Sequence, residues 1–196
     1  MTTLHTAFVL GYHGCSEEVG RSLLLQEKSP MKSETSYDWL GPGFYLWESD
    51  PKRAREWAEE KKKRDPNFKP FVVGVVLDLG NCLDLTNRCD LDLLQGAYEG
   101  LKETFASKGT PLPENRDASF DSHRDKLFRN LDCAVIRYLH ASIEESSGQI
   151  PPYDTVRGLF QEGAELYPGS GFRSKTHTQI AVCNLDCIKG FFIPPS

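Results

Sequence analysis

Long apolar runs are missing from this chain of 196 residues. None approaches the ~20 residues that a membrane-spanning helix requires, so no membrane partner is expected. The opening residues, Met1 to His5, lack the basic region and apolar stretch of a secretory leader, and a cytoplasmic location is the expectation. A basic excess is also lacking: 23 Lys and Arg against 28 Asp and Glu give a net charge of −5. Bulk electrostatics therefore do not recruit nucleic acid, although a local basic patch stays open. Six cysteines are present, but Cys82-x6-Cys89 and Cys183-x3-Cys187 miss the usual zinc spacings. No metal is expected, and the thiols read as reduced and packed. His5, His123 and His140 show neither metal nor triad spacing, and no nucleophile elbow for serine chemistry occurs. Repeats and low-complexity segments are absent too.

What is there suits a folded core: 39% of residues are hydrophobic and 11% aromatic. The length fits a single domain. Residues 7–12 read as a buried strand, and Ser16 as the N-cap of a helix over 17–26. After a polar loop, Gly41-Pro42-Gly43 turns the chain into a short strand at 44–47. Asp50-Pro51 starts a helix over 52–63, ending in the solvated run Lys61 to Arg64. Residues 71–79 form a continuous apolar strand. Two helices follow, about 92–107 and 124–145, as an insertion at about 85–145. Strands at 153–160, 178–183 and 188–193 close the chain, with a turn-rich loop at 163–175. The pattern is α+β, with a small antiparallel-leaning sheet.

Three short segments carry the chemistry. Tyr12-His13-Gly14 ends the first strand, Gly43-Phe44-Tyr45 opens the second, and His177-Thr178-Gln179 begins a late one. An imidazole can bond a ribose hydroxyl, and a glycine lets backbone approach a ligand. An aromatic face gains roughly 1–2 kcal/mol against a desolvated pyridinium. A side chain that bonds a 2′-hydroxyl steadies an oxocarbenium-like ribosyl cation.

In order, spacing and strand context these segments resemble the His-Tyr-Glu branch of the ADP-ribosyltransferase superfamily. His13-Gly14, Gly41 to Leu46 and Gln179 to Val182 look like its three motif strands, residues 153–163 and 175–190 are similar to small bacterial and phage-associated members, and the likeness covers most of the chain outside the helical insertion. The resemblance implies a split, antiparallel-leaning sheet and NAD+ as substrate, with ADP-ribose passed to a protein side chain or a nucleobase and nicotinamide released. It also implies a toxin-like or defence role with an antitoxin partner. On that pattern His13 contacts the adenosine ribose, with Gly14 and Tyr12 beside it, Tyr45 stacks on nicotinamide, and Gln179 bonds the 2′-hydroxyl. The loop at 163–176, with Tyr167, Phe172, Arg173 and Lys175, recognises the acceptor.

Gln179 stands where the family has glutamate, and it brings no charge. One unit charge ~4 Å from the cation, at an effective dielectric near 20, is worth about 4 kcal/mol, on the order of a thousandfold in rate. Glu162, ahead of Asp154 and Glu165, is the carboxylate expected to compensate. Arg157 is expected to pair with the pyrophosphate, and His177 to position the incoming nucleophile. Two alternatives stay open: an NAD+ glycohydrolase, or an inactive module that binds NAD+ or ADP-ribose.

Overall fold

A computed structural model describes residues 8–195. His5 and Ala7, the first residue of the expected opening strand, lie outside them. Strand β1 (Val9–Ser16) runs directly into helix α1 (Glu17–Leu24), and Ser16 caps it by accepting from the Val19 amide at 3.3 Å. Strand β2 (Phe44–Glu48) follows, then α2 (Pro51–Arg64), whose first turn Asp50 caps through the Arg53 amide at 2.8 Å. Next come β3 (Pro70–Leu77), a three-residue β4 (Cys82–Asp84) and α3 (Arg88–Ser107). A two-stranded ribbon, β5 (Asn115–Arg116) with β6 (Phe128–Arg129), leads to α4 (Asn130–Glu145). Strands β7 (Thr155–Phe160), β8 (His177–Val182) and β9 (Ile188–Phe192) complete the chain.

Two helix starts differ from the sequence expectation, each for a local reason. α3 begins four residues earlier than 92, because Asn87 accepts from the Cys89 amide at 3.0 Å and so supplies a cap upstream. α4 begins at Asn130 rather than 124, because Arg124 and Lys126 sit at positive φ, outside helical conformation. The Asn115 carboxamide oxygen caps α4 instead, accepting from the amides of Leu131 (2.9 Å) and Asp132 (3.3 Å).

Seven strands form one hydrogen-bonded sheet in the order β4-β7-β8-β2-β1-β3-β9. Every neighbouring pair is antiparallel except β4 with β7. The sheet is thus mixed and continuous rather than split. One junction is thin, however. β1 pairs with β3 over eight residue pairs but with β2 over two, Gly11 with Glu48 and Tyr12 with Trp47. Beyond those two pairs the β1–β2 ladder stops, and the C-terminal half of β1 faces the N-terminal half of β2 across a notch.

Each face of the sheet is apolar, as alternation over these strands dictates. On one face Cys15, Phe44, Leu46, Val73, Val75, Ile180 and Val182 form a cluster with Leu23 of α1. The other face carries two clusters. Tyr12, Trp47 and Val72 pack on Ala54 of α2, while Val156 and Ala181 pack with Leu40 beneath Leu101, Ile136 and Leu139 of α3 and α4. The inserted helices therefore cover the second face, and a seam separates their cluster from that of α2. No helix of the described residues is long and apolar enough to cross a membrane.

Candidate functional site

The strands bearing His13, Tyr45 and Gln179 are consecutive neighbours, β1, β2 and β8. One cross-strand row runs Tyr12–Trp47–Gln179–Gly158, so the distant segments meet. Their side chains do not all meet on one surface. His13 points to the first face, its ring 4.4 Å from that of Phe44. Tyr45 and Gln179 project from the second.

His13 lies at the notch. Its Nδ1 donates to the Tyr45 carbonyl at 2.9 Å, so the imidazole makes the bond that a neighbouring strand would otherwise make. A carbonyl accepts only, so Nδ1 carries the proton and Nε2 keeps a bare lone pair. Burial pushes the His13 pKa down to about 4, against the bond to the Tyr45 carbonyl, with Lys61 adding a smaller downward push. The ring is therefore neutral at pH 7. Gly14 does not hold open space for a ligand on the α2 side. A side chain there would collide with the Ala54 backbone carbonyl and approach Trp57. The glycine is explained by close helix–strand packing. Tyr12, buried, packs edge-on against Phe192 at 6.0 Å.

Tyr45 is half-buried against the cluster beneath α3 and α4. Its hydroxyl donates to the Gly41 carbonyl (2.9 Å) and accepts from the Leu40 amide (3.0 Å), closing the turn that leads into β2. Burial pushes its phenol well above the ordinary range, with Asp38 adding to the shift. Gln179, also half-buried, accepts on Oε1 from the Trp39 indole N–H at 2.6 Å. One lone pair of Oε1 remains, and its NH₂ has no partner within the described chain. Trp39 reaches this point because residue 158 is glycine: a Cβ there would sit 2.7 Å from the indole.

Glu162 is buried and answers to Arg53, a residue of α2 not foreseen as functional. The Arg53 Nη2 donates to both Glu162 oxygens, at 3.1 and 2.9 Å, with both side chains about nine-tenths buried. The carboxylate expected to replace a catalytic glutamate is thus already neutralised by a guanidinium. His177 lies beside it, Nδ1 being 3.9 Å from Glu162 and donating to the Lys175 carbonyl at 2.6 Å. Its ring stacks on Phe160 at 5.6 Å. Burial lowers its pKa, countered by the Lys175 carbonyl; Arg53 lowers it further, while Glu162 and Asp50 raise it. Four buried polar atoms of this seam have no hydrogen-bond partner among the described residues: Trp47 Nε1, Arg53 Nε and Nη1, and His177 Nε2. Such orphans each call for an explanation. Three donate and one accepts, a pattern that a single hydroxyl or water satisfies in part.

Arg157 projects from the first face and is spent on carboxylates, at 2.7 Å from Glu48 and 3.0 Å from Asp84. No free guanidinium is left there for a pyrophosphate. Asp154 is a structural anchor, accepting from the Asn81 amide and the Asn184 carboxamide. The loop at 163–176 folds on itself, with Leu166 bonded to Phe172 and the Gly163 amide donating to Asp125. The Arg173 guanidinium donates to the Gly163 carbonyl at 3.2 Å, and Phe172 and Tyr167 are exposed at its tip. The structure therefore gathers Tyr45, Gln179, His177 and Glu162 on one face, sets His13 and Arg157 on the other, and leaves Phe172 outside.

No protein-family model, no curated protein and no solved structure matches the chain. Trp39, Trp47 and Arg53 are the members of this site that the sequence reading passed over. Only Arg53 carried a signal, as a basic residue on the helix that follows the tyrosine strand.

Proposed function

We propose that the chain binds NAD+ at the β1–β2 notch and transfers ADP-ribose to an acceptor, releasing nicotinamide. The observation that carries this reading is the adjacency of β1, β2 and β8, which brings the segments at 12–14 and 43–45 beside one at 177–179, more than a hundred residues later in the sequence. In this reading the spare lone pair of Gln179, on the second face, accepts the 2′-hydroxyl, and the ligand extends through the notch so that the bare His13 Nε2, on the first face, accepts from a ribose hydroxyl. The His177 Nε2 is a neutral proton acceptor for the incoming nucleophile. The acceptor is a protein side chain or a nucleobase. A toxin-like role with a restraining antitoxin partner follows from the sequence likeness alone.

One observation favours a second reading, an inactive module that keeps the ligand. Gln179 is uncharged and held by Trp39, and Arg53 neutralises Glu162, so the ribosyl cation meets no free carboxylate from either residue. Incubation with labelled NAD+ separates the readings. Transfer predicts label on a macromolecule, water as acceptor predicts free ADP-ribose, and the inactive module predicts neither. Gln179→Glu should raise nicotinamide release by on the order of a thousandfold, because the new charge is worth about 4 kcal/mol at ~4 Å. An unchanged release rate in that variant removes Gln179 from the mechanism.

A further inference from the structure

The inserted helices leave a cleft of about 410 Å³ between the first turns of α3, the start of α4 and the outer edge of β7. That size is at the lower end for small-molecule sites and too small for an extended dinucleotide. Its walls include Trp39, Tyr98, Leu94 and Leu159, so two of them are aromatic. Trp39 is the residue that bonds Gln179, which places the cleft next to the seam described above.

The polar groups of the cleft narrow the ligand further. Arg129 lies over the rings of Phe160 (4.2 Å) and Trp39 (5.5 Å), presenting a flat cationic plane. Three of its five N–H donors are used, by Asp132 at 3.3 Å and by the carbonyls of Lys126 (3.3 Å) and Asp125 (3.4 Å). The Arg129–Asp132 pair is formally neutral, so the cleft offers no unspent cation to a phosphate. Gln95 is exposed and makes no hydrogen bond among the described residues, leaving both amide donors and the carbonyl acceptor at the cleft. A glutamine carboxamide pairs two-pronged with the adjacent donor and acceptor of an adenine edge.

We propose that this cleft binds an uncharged adenine-type heterocycle, with Trp39 and Tyr98 against its faces and the Gln95 carboxamide on its edge. The site is independent of the NAD+ reading, since it requires neither a pyrophosphate nor a reaction. Calorimetric titration of the full chain with adenosine, without NAD+, tests it. Saturable one-to-one binding with a Kd on the order of 100 μM is expected for a ligand of that size. Gln95→Ala should weaken it about tenfold, and guanosine, whose N7 and O6 both accept where adenine pairs an N7 acceptor with an N6 donor, should bind about tenfold more weakly than adenosine. Because Gln95 is exposed and unbonded, the variant keeps the fold, which its unchanged thermal midpoint verifies. Absence of saturable binding overturns the proposal. So does equal affinity for adenosine in Gln95→Ala, or for indole in place of adenosine.

Discussion

Glu162→Ala should destabilise the fold by about 3–5 kcal/mol, the cost of leaving a buried charge without its partner. For a chain of 196 residues that corresponds to a fall in melting temperature of roughly 10 °C or more. The Arg53 guanidinium is buried, and both bonds from its Nη2 go to this carboxylate. Its Nε and Nη1 already lack partners, and the nearest other carboxylate, Glu56, lies 4.0 Å from Nη1. Glu56, partly exposed and without a hydrogen bond to the guanidinium, would offset that charge only in part after truncation. The double variant Arg53→Met/Glu162→Leu removes both charges and retains apolar volume, so it should recover most of the loss. Urea unfolding of the parent and the variants is the measurement. A Glu162→Ala protein within 1 kcal/mol of the parent would mean that the pair is not what ties α2 to the end of β7.

Lowering the pH should destabilise the protein through His13. Its folded pKa of about 4 lies below the ordinary 6.5, so between those values the unfolded chain binds the extra proton. Stability is then intact above about pH 7 and lost as the pH falls from 6.5 towards 4. The loss is about 2 kcal/mol at pH 5 and about 3 kcal/mol near pH 4, somewhat less because the ring is half-buried. His177 is shifted in the same direction and adds to the effect. His13→Gln keeps an amide donor for the Tyr45 carbonyl but cannot titrate. Its stability should therefore fall less than the parent's between pH 7 and pH 5, when both are measured by urea unfolding. Parallel pH profiles would exclude His13 as the group responsible.

Much of the scaffold was legible because local chemistry agreed with the outcome. Ser16 and Asp50 are strong capping residues, and both cap the helices they were expected to start. The apolar run at 71–79 became the strand β3, paired on both sides. The strand β4 was invisible, since three residues with a single buried leucine carry no periodicity. Its parallel pairing depends on β7, more than seventy residues later. The start of α4 was expected too early because helical spacing persists through 124–129, whereas Arg124 and Lys126 take positive φ and the Asp125 and Lys126 amides donate to the Asp121 and Asp117 carboxylates.

At the site, strand alternation correctly placed His177 with Gln179. It could not reveal that His13 and Tyr45 turn to opposite faces, because that depends on the β1–β2 register and not on either segment alone. The pairing of Glu162 with Arg53 spans 109 positions, and the bond from Trp39 to Gln179 spans 140. Neither has any local trace. Both change the chemistry, one by cancelling a charge and the other by occupying a lone pair.

The two-rung contact between β1 and β2 has a mechanical consequence. Four strands lie on one side of it and three on the other, so the sheet is two plates joined along a crease of few backbone bonds. Bending there costs fewer backbone bonds than at the eight-pair β1–β3 junction, and any such motion pulls directly on the imidazole that spans the gap. Opening of the crease and release of that ring are one event.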